Sequence, residues 1–231
     1  TQRFFGEGLA EIGEPWFAHL PRMATARRAL QFLSPEWHER ANAWDARAAL
    51  RATLPEAIGR WSPLARDQYV EAHTLMSGYL LSSQGDRMAM AASIEARFPF
   101  LDHRVIEFAN RLPPQYKLRG LAEKHILKKA FAAELPPSIT QRSKQPYRAP
   151  DSASFFVDGK PLDYVADVLA PTSVAAAGLF DAASVGRLME KCRSGKALGF
   201  GDNIAFVGVL SAMLLHRQFI ASADAPRALA A

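Results

Sequence analysis

The sequence predicts a mainly α protein. Three observations carry this: apolar residues recur three and four apart along most of the chain, period-2 alternation is nearly absent, and Pro, Ser and Asp stand where helix ends need them. Residues 1–34 are mixed, with Gly6, Gly8, Gly13 and Pro15 interrupting any long element. From Pro35 to Arg60, Ala, Arg, Glu and Leu dominate, and Leu50, Leu54 and Ile58 recur four apart, so helices are expected there. Ser62-Pro63 reads as a helix start, with Ser as N-cap and Pro in the first turn. Behind it Ala72, Leu75, Met76, Tyr79 and Leu80 keep helical spacing, and a second piece is expected from Gly85 through Met88 to Ile94. Pro99 cannot continue that helix, because it lacks an N–H and restricts Phe98.

Asp102 is a suitable N-cap, and Val105, Phe108, Ala109 and Leu112 form the inward stripe of a short helix that Pro113-Pro114 stops. Residues 122–133 are expected as a helix with Ile126, Leu127, Ala130 and Phe131 inward. Pro136-Pro137 opens a loop to Pro150. Helices are expected again at 152–158, 160–169, 181–193 and 202–219, the last capped by Asp202. Residues 222–231 read as a loose tail.

The composition bounds the function. The chain has 231 residues, 49% apolar and 22% charged, which suits a globular protein of one to two domains rather than a disordered one. A single cysteine, Cys192, excludes a disulfide framework and a multi-cysteine metal cluster, and is expected as a half-buried residue on a helix. The six histidines show no H-x-x-x-H pairing, so no metal ligands are expected. Residues 1–5 lack the pattern of a signal peptide. The most apolar run, Ile204–Leu215, is shorter than the roughly 18 residues of a membrane span and reads as a buried helix. The expected location is cytoplasmic, with no membrane partner. Beginning at Thr1 suggests a chain that starts inside a larger protein.

The charge is local. Residues 117–148 carry eight basic residues (Lys117, Arg119, Lys124, Lys128, Lys129, Arg142, Lys144 and Arg148) against Glu123 and Glu134, a net of +6 in a chain of +5. Such a segment fits a solvated helix face, a nucleic-acid patch or a polyphosphate site. Only Tyr116, Phe131 and Tyr147 are available for base stacking and no nucleic-acid-binding motif occurs, so no nucleic acid is expected as partner.

The string from Asp86 to Asp102, DRMAMAASIEARFPFLD, chooses among these. It resembles the signature of glutamine-dependent asparagine synthetases. Downstream, Leu112-Pro113-Pro114, Lys117-Leu118-Arg119-Gly120, Glu123-Lys124-His125-Ile126-Leu127-Lys128, and Arg142-Ser143-Lys144-Gln145-Pro146-Tyr147 follow the family's order and spacing. The resemblance is close over roughly 75–150 and loose elsewhere. It implies that residues 1–221 are the helical C-terminal portion of an α/β PP-loop synthetase domain of the adenine nucleotide alpha hydrolase type. It also implies the chemistry: ATP activates aspartate as β-aspartyl-AMP, and ammonia from an N-terminal glutaminase displaces AMP.

Neither the glutaminase nor the Ser-Gly-Gly-x-Asp-Ser phosphate loop occurs in this sequence. The chain alone is therefore expected to be inactive, with apolar surface meant for the sheet exposed. Gly6-Glu7-Gly8 is similar to the family's GEGxDE motif, but Ala10 stands where Asp is required, so the Mg2+ ligands are expected outside the chain. The family allows a homodimer of the full-length protein.

Residue roles follow from the resemblance. Lys124 is the catalytic candidate, meeting the ATP phosphates as pyrophosphate charge develops, with Lys128 four residues on. Glu95 and Arg97 are either a local ion-pair anchor or part of the cleft lining, Arg97 as carboxylate partner. Lys144 and Gln145 either cover the nucleotide or pack on the basic helix. Asp86, Arg87 and Asp102 are expected to be structural, and Met88 and Met90 core. Two alternatives stand beside asparagine synthesis: an amide-forming relative acting on another carboxylate, and a non-catalytic helical module that binds a partner through 117–148.

Overall fold

The computed structural model describes residues 8–144, 152–195 and 199–221. It is mainly helical, and its only strands among the described residues are two short hairpins. Contacts divide it into two units, Thr1–His19 with Leu54–Pro146, and Leu20–Thr53 with Tyr147–Ala231.

The second unit holds the continuous apolar core. Its N-terminal part is α1 (Leu20–Arg27), a 3-10 segment Arg28–Phe32, α2 (Pro35–Ala43) and α3 (Ala46–Thr53). The turn around Leu33 is pinned to the C-terminal half. Ser34 Oγ donates to the Gly178 carbonyl at 2.8 Å, and the Asp181 N–H donates to the Phe32 carbonyl at 2.9 Å.

The C-terminal half continues from a hairpin, Phe156–Val157 with Lys160–Pro161. Asp158 and Gly159 turn it with φ 50° and 72°, the positive pair that a type I′ turn needs and Asp-Gly supplies. Helices Asp163–Val168, Pro171–Ala177, Ala182–Ser194 and Phe200–Leu215 follow. Val185, Leu188 and Cys192 lie on one face of Ala182–Ser194, and Ala205, Phe206, Val209, Leu210 and Met213 on one face of Phe200–Leu215, and all are buried. Together with Phe32, Val165, Val168, Leu169 and Val174 they form one cluster.

Several expectations change here. The helix Pro171–Ala177 was not anticipated, although Pro171 at its first turn and Gly178 at φ 67° just past its end are the standard markers. Residues 152–158 are helical only over the 3-10 segment Ser152–Phe155, because the Asp-Gly turn closes a hairpin from Phe156 onward. Asp202 is not the N-cap. It sits in the first turn of the helix, where its Oδ2 accepts from the Gly199 N–H at 2.9 Å and from Lys191 at 2.7 Å. Cys192 is fully rather than half buried. The apolar helical run Gly201–Ala221 is, by length and composition, sufficient to cross a membrane, but its inner stripe is core. It is buried on one side only, since Ile204, Val207, Leu215, Phe219 and Ile220 are exposed.

The first unit is built differently. Buried residues are few among those described there: Pro15, Trp16, His19, Ile58 and Val70. Ser62 caps α4 (Pro63–Glu71), its Oγ accepting from the Ala65 N–H at 3.3 Å. The chain continues as one helical rod through Ala72–Asp86, with π-type hydrogen bonds, into α5 (Arg87–Ala91). His19 is clamped by this rod, its Nδ1 3.3 Å from Glu71 Oε2. One turn earlier, burial raises the Asp67 carboxyl above its usual range, against the pull of His19 and Arg66.

Beyond Gly85 the unit is largely open. Met88 and Met90, expected as core, are 61% and 59% exposed. The stripe of α6 (His103–Arg111) is amphipathic as expected, yet Phe108 is 62% exposed and Val105 40%, because nothing among the described residues packs over it. Ile94, Phe98 and Phe100 extend the same kind of surface. A soluble chain seldom shows a contiguous apolar patch of this kind unless another surface covers it.

Candidate functional site

The candidate residues lie on two local structures of the first unit. The first is the turn at 92–102. Helix α5 stops at Ala91 rather than at Ile94, the expected end. Its cap is a Schellman motif: the Ile94 N–H donates to the Ala89 carbonyl at 2.8 Å and the Ser93 N–H to the Met90 carbonyl at 3.1 Å. Glycine usually takes the left-handed position of this motif, but here Ser93 does, at φ 56°. A left-handed conformation is unfavourable for a residue with a Cβ. Ser93→Gly is therefore expected to stabilise this unit by about 0.5–1 kcal/mol in urea unfolding.

Past the cap, Glu95 and Arg97 pair with each other, Oε2 to Nη2 at 2.7 Å, with both side chains about three-quarters exposed. The two residues therefore form a local ion pair, and among the described residues no hydrogen bond or ion pair joins either of them to Lys124. The turn Pro99–Leu101 leads to Asp102, which caps α6 as expected. Its Oδ1 accepts from the Arg104 N–H at 2.8 Å, and the Arg104 guanidinium forks onto both carboxylate oxygens. That guanidinium holds the Asp102 carboxyl below the usual range. A depressed folded-state pKa contributes stability above the unfolded pKa and loses it as pH falls through the folded one. Asp102→Asn keeps an N-cap acceptor and removes the charge. The variant is expected to flatten the acid limb of stability against pH, measured by unfolding between pH 2 and 5. Asp86 and Arg87 lie at the junction of the rod and α5.

The second structure spans 114–130. Helix α7 (Pro114–Lys117) runs into the hairpin Leu118–Arg119 with Ala122–Glu123. Gly120, at φ 61°, supplies the positive φ that a two-residue turn needs, and Leu121 at its tip is fully exposed. Because Ala122 and Glu123 belong to the ladder, the following helix α8 (His125–Ala130) starts three residues later than expected. Lys124 is the hinge between them. It is a non-glycine residue at φ 55°, and its carbonyl accepts the first helical bond from the Lys128 N–H at 3.0 Å. A left-handed lysine is uncommon, and strained backbone of this kind concentrates at functional positions.

The loop after the single-turn helix Pro137–Thr140 returns to this hairpin, where Lys144 Nζ lies 3.9 Å from Glu123 Oε2. Lys144 is thereby brought beside the residue that precedes Lys124. Lys128 is half-buried and Lys124 exposed, and neither ammonium has an ion-pair partner among the described residues. Gln145 lies outside the described residues.

Sequence reasoning missed a group on the other side of α8. His125, Ile126, Lys129 and Ala130 line an open cavity of about 750 Å³ with Gln115, Tyr116 and Arg119. The i, i+4 pair His125 and Lys129 was the available signal. No group of three or more His, Cys, Asp or Glu side chains among the described residues is arranged to hold a metal.

Comparisons with known proteins agree with one another. Residues 9–217 match the model of the Asparagine synthase family. The chain is 34% identical over 160 residues to asparagine synthetase [glutamine-hydrolyzing] 3 of Bacillus subtilis, an alignment covering 62% of this chain and 25% of that protein. It is 28% identical over 204 residues to a putative asparagine synthetase of Mycobacterium bovis, covering 88% of this chain and 29% of that protein. It is also 35% identical over 99 residues to the amidase chry2 of Gibberella zeae, covering 40% of this chain and 15% of that one. No solved structure matches. The chain thus spans between about a seventh and a third of the length of these relatives. The family match covers both units, including the loosely similar flanks of the signature, and the chain belongs to the asparagine synthase family.

Proposed function

We propose that this chain is the helical, phosphate-facing part of an ATP-dependent amide-forming synthetase whose acceptor is aspartate. The observation that carries the reading is Lys124: a strained left-handed lysine at the head of a helix, unpaired among the described residues, in the segment that resembles the family's Glu-Lys-x-x-Leu motif. The reaction has two steps. A β-carboxylate oxygen of aspartate attacks the α-phosphorus of ATP and expels pyrophosphate. Ammonia then attacks the β-carbonyl carbon of the acyl-adenylate, expels AMP and loses a proton to give the amide.

The roles of this chain's residues are electrostatic and positional. In the first step negative charge accumulates on the departing pyrophosphate. A fixed ammonium stabilises that charge most where water is excluded and no reorganisation is needed. Lys124 is held by backbone geometry rather than by an ion pair, so its charge is available for this. Lys128, one turn on, adds a second cation next to the same backbone. Lys144 lies on the strand side of the lysine and, with Gln145, would close over the nucleotide. Glu95 and Arg97, already paired, act in this reading as an anchor for the turn that bounds the cleft.

Mg2+, which ATP chemistry implies, finds no fitting set of ligands among the described residues. The exposed apolar surface of Met88, Phe100 and Phe108 is assigned to contacts with other parts of the full-length protein. The proposed site of action is the cytoplasm.

The test is product identity. The intact gene product, given ATP, aspartate and ammonia, should release AMP, pyrophosphate and asparagine in equal amounts. Release of ADP and phosphate would contradict acyl-adenylation. A second acceptor class has one specific support, the similarity to proteins named amidases in Gibberella zeae and Penicillium rubens. Asparagine formed more slowly than the amide of another carboxylate would favour it.

A further inference from the structure

We propose that the cavity on the His125–Lys129 side of α8 is a second binding site, separate from the Lys124 site, and that it takes a phosphate monoester carried on a flat ring. The helical geometry separates the two sites. Successive helical residues are about 100° apart, so His125, Ile126, Lys129 and Ala130 share one side of α8 while Lys128 lies on another, and Lys124, which precedes the helix in left-handed backbone, does not line the cavity. The cavity is made within one short stretch, 115–130, from α7, the hairpin and α8.

Its lining fits one ligand chemistry. Arg119 and Lys129 are cations, His125 is a further nitrogen donor and Gln115 an amide, and no carboxylate is among the lining residues. Neither Arg119 nor Lys129 has an ion-pair or side-chain hydrogen-bond partner among the described residues. Glu123, in the hairpin beside the cavity, lies 3.9 Å from Lys144 Nζ. Two unneutralised cations at one concavity favour a dianion over a single carboxylate, and the guanidinium offers a planar fork for phosphate oxygens. The rest of the wall is apolar and flat: the Tyr116 ring, Ile126 and Ala130. That surface suits an aromatic or heteroaromatic ring beside the phosphate. A volume of about 750 Å³ is within the range of small-molecule sites. The proposal stands independently of the synthetase reading, because it uses none of the residues assigned to adenylation.

The experiment is calorimetric titration of the intact protein with phenyl phosphate, beside inorganic phosphate and phenol. Phenyl phosphate should bind at least 10-fold more tightly than either. Arg119→Gln and Lys129→Gln should each weaken it about 10-fold, and Lys129→Arg should retain it. Tyr116→Ala should bring phenyl phosphate down to the level of inorganic phosphate. Lys124→Asn should leave the preference for phenyl phosphate over inorganic phosphate in place. Equal affinity for phenyl phosphate and inorganic phosphate would overturn the ring-binding part. Absence of phenyl phosphate binding, or its loss in Lys124→Asn with retention in Lys129→Gln, would overturn the second site. The substituted residues are exposed, so an unchanged melting temperature checks that the variants fold.

Discussion

Phe206→Ala is expected to destabilise the second unit by about 3–5 kcal/mol, the range for truncating a fully buried aromatic. Phe206 is 1% exposed, and the rings of Phe155 and Phe156 sit with centroids 5.6 Å from its own. It lies on the buried face of Phe200–Leu215 with Val209, Leu210 and Met213, so the void would open between that helix and the segment leading into the hairpin. Phe206→Leu, which keeps most of the volume, should lose under about 1.5 kcal/mol. Phe108→Ala supplies the contrast. At 62% exposure on α6, its truncation should stay within about 0.5 kcal/mol in this chain. Urea unfolding of the three variants checks the ordering. Equal losses at Phe206 and Phe108 would mean that the core is not where the burial places it.

Loss of the Lys124 ammonium is expected to slow adenylation by about 10²–10³-fold, the typical effect of removing one preorganised charge-stabilising donor. The choice of replacement separates charge from backbone. Alanine at φ 55° keeps the strain without the charge, whereas asparagine tolerates the left-handed region. Lys124→Asn should therefore fold at least as well as the parent while being as inactive as Lys124→Ala. A thermal melt paired with single-turnover adenylation would show this. If Lys124→Asn kept the rate and Lys124→Ala lost it, the position would matter through its backbone alone.

Much of the fold was legible because helix punctuation is local. Ser62 and Asp102 cap the helices they were expected to cap, since each places an acceptor within reach of N–H groups two or three residues on. The helix Phe200–Leu215 is legible in its continuous apolar run, but that run does not show that only one side of it is buried. The errors have a common cause. Asp158-Gly159 and Gly120 close hairpins too short to show alternation, and each hairpin displaced a helix boundary. Ser93 was unreadable as a cap because a serine rarely takes a glycine's left-handed role.

Met88 and Met90 are expected in the core and Phe108 on the stripe of a short amphipathic helix, and all three are exposed. Such spacing says that a face is apolar, and it does not say what covers the face. At the candidate site, the motif order identified Lys124, but its strained backbone and the approach of Lys144 to Glu123 required the coordinates. The cavity beside Lys129 escaped because its residues come from two helices and a turn whose register the sequence did not define.

Pyrophosphate exchange reads out carboxylate adenylation that depends on Lys124. In the intact gene product, labelled pyrophosphate should enter ATP only when aspartate is present. Lys124→Asn should lower this exchange by about 100-fold or more. Exchange at the parental rate in Lys124→Asn, or exchange that needs no carboxylate acceptor, would contradict it.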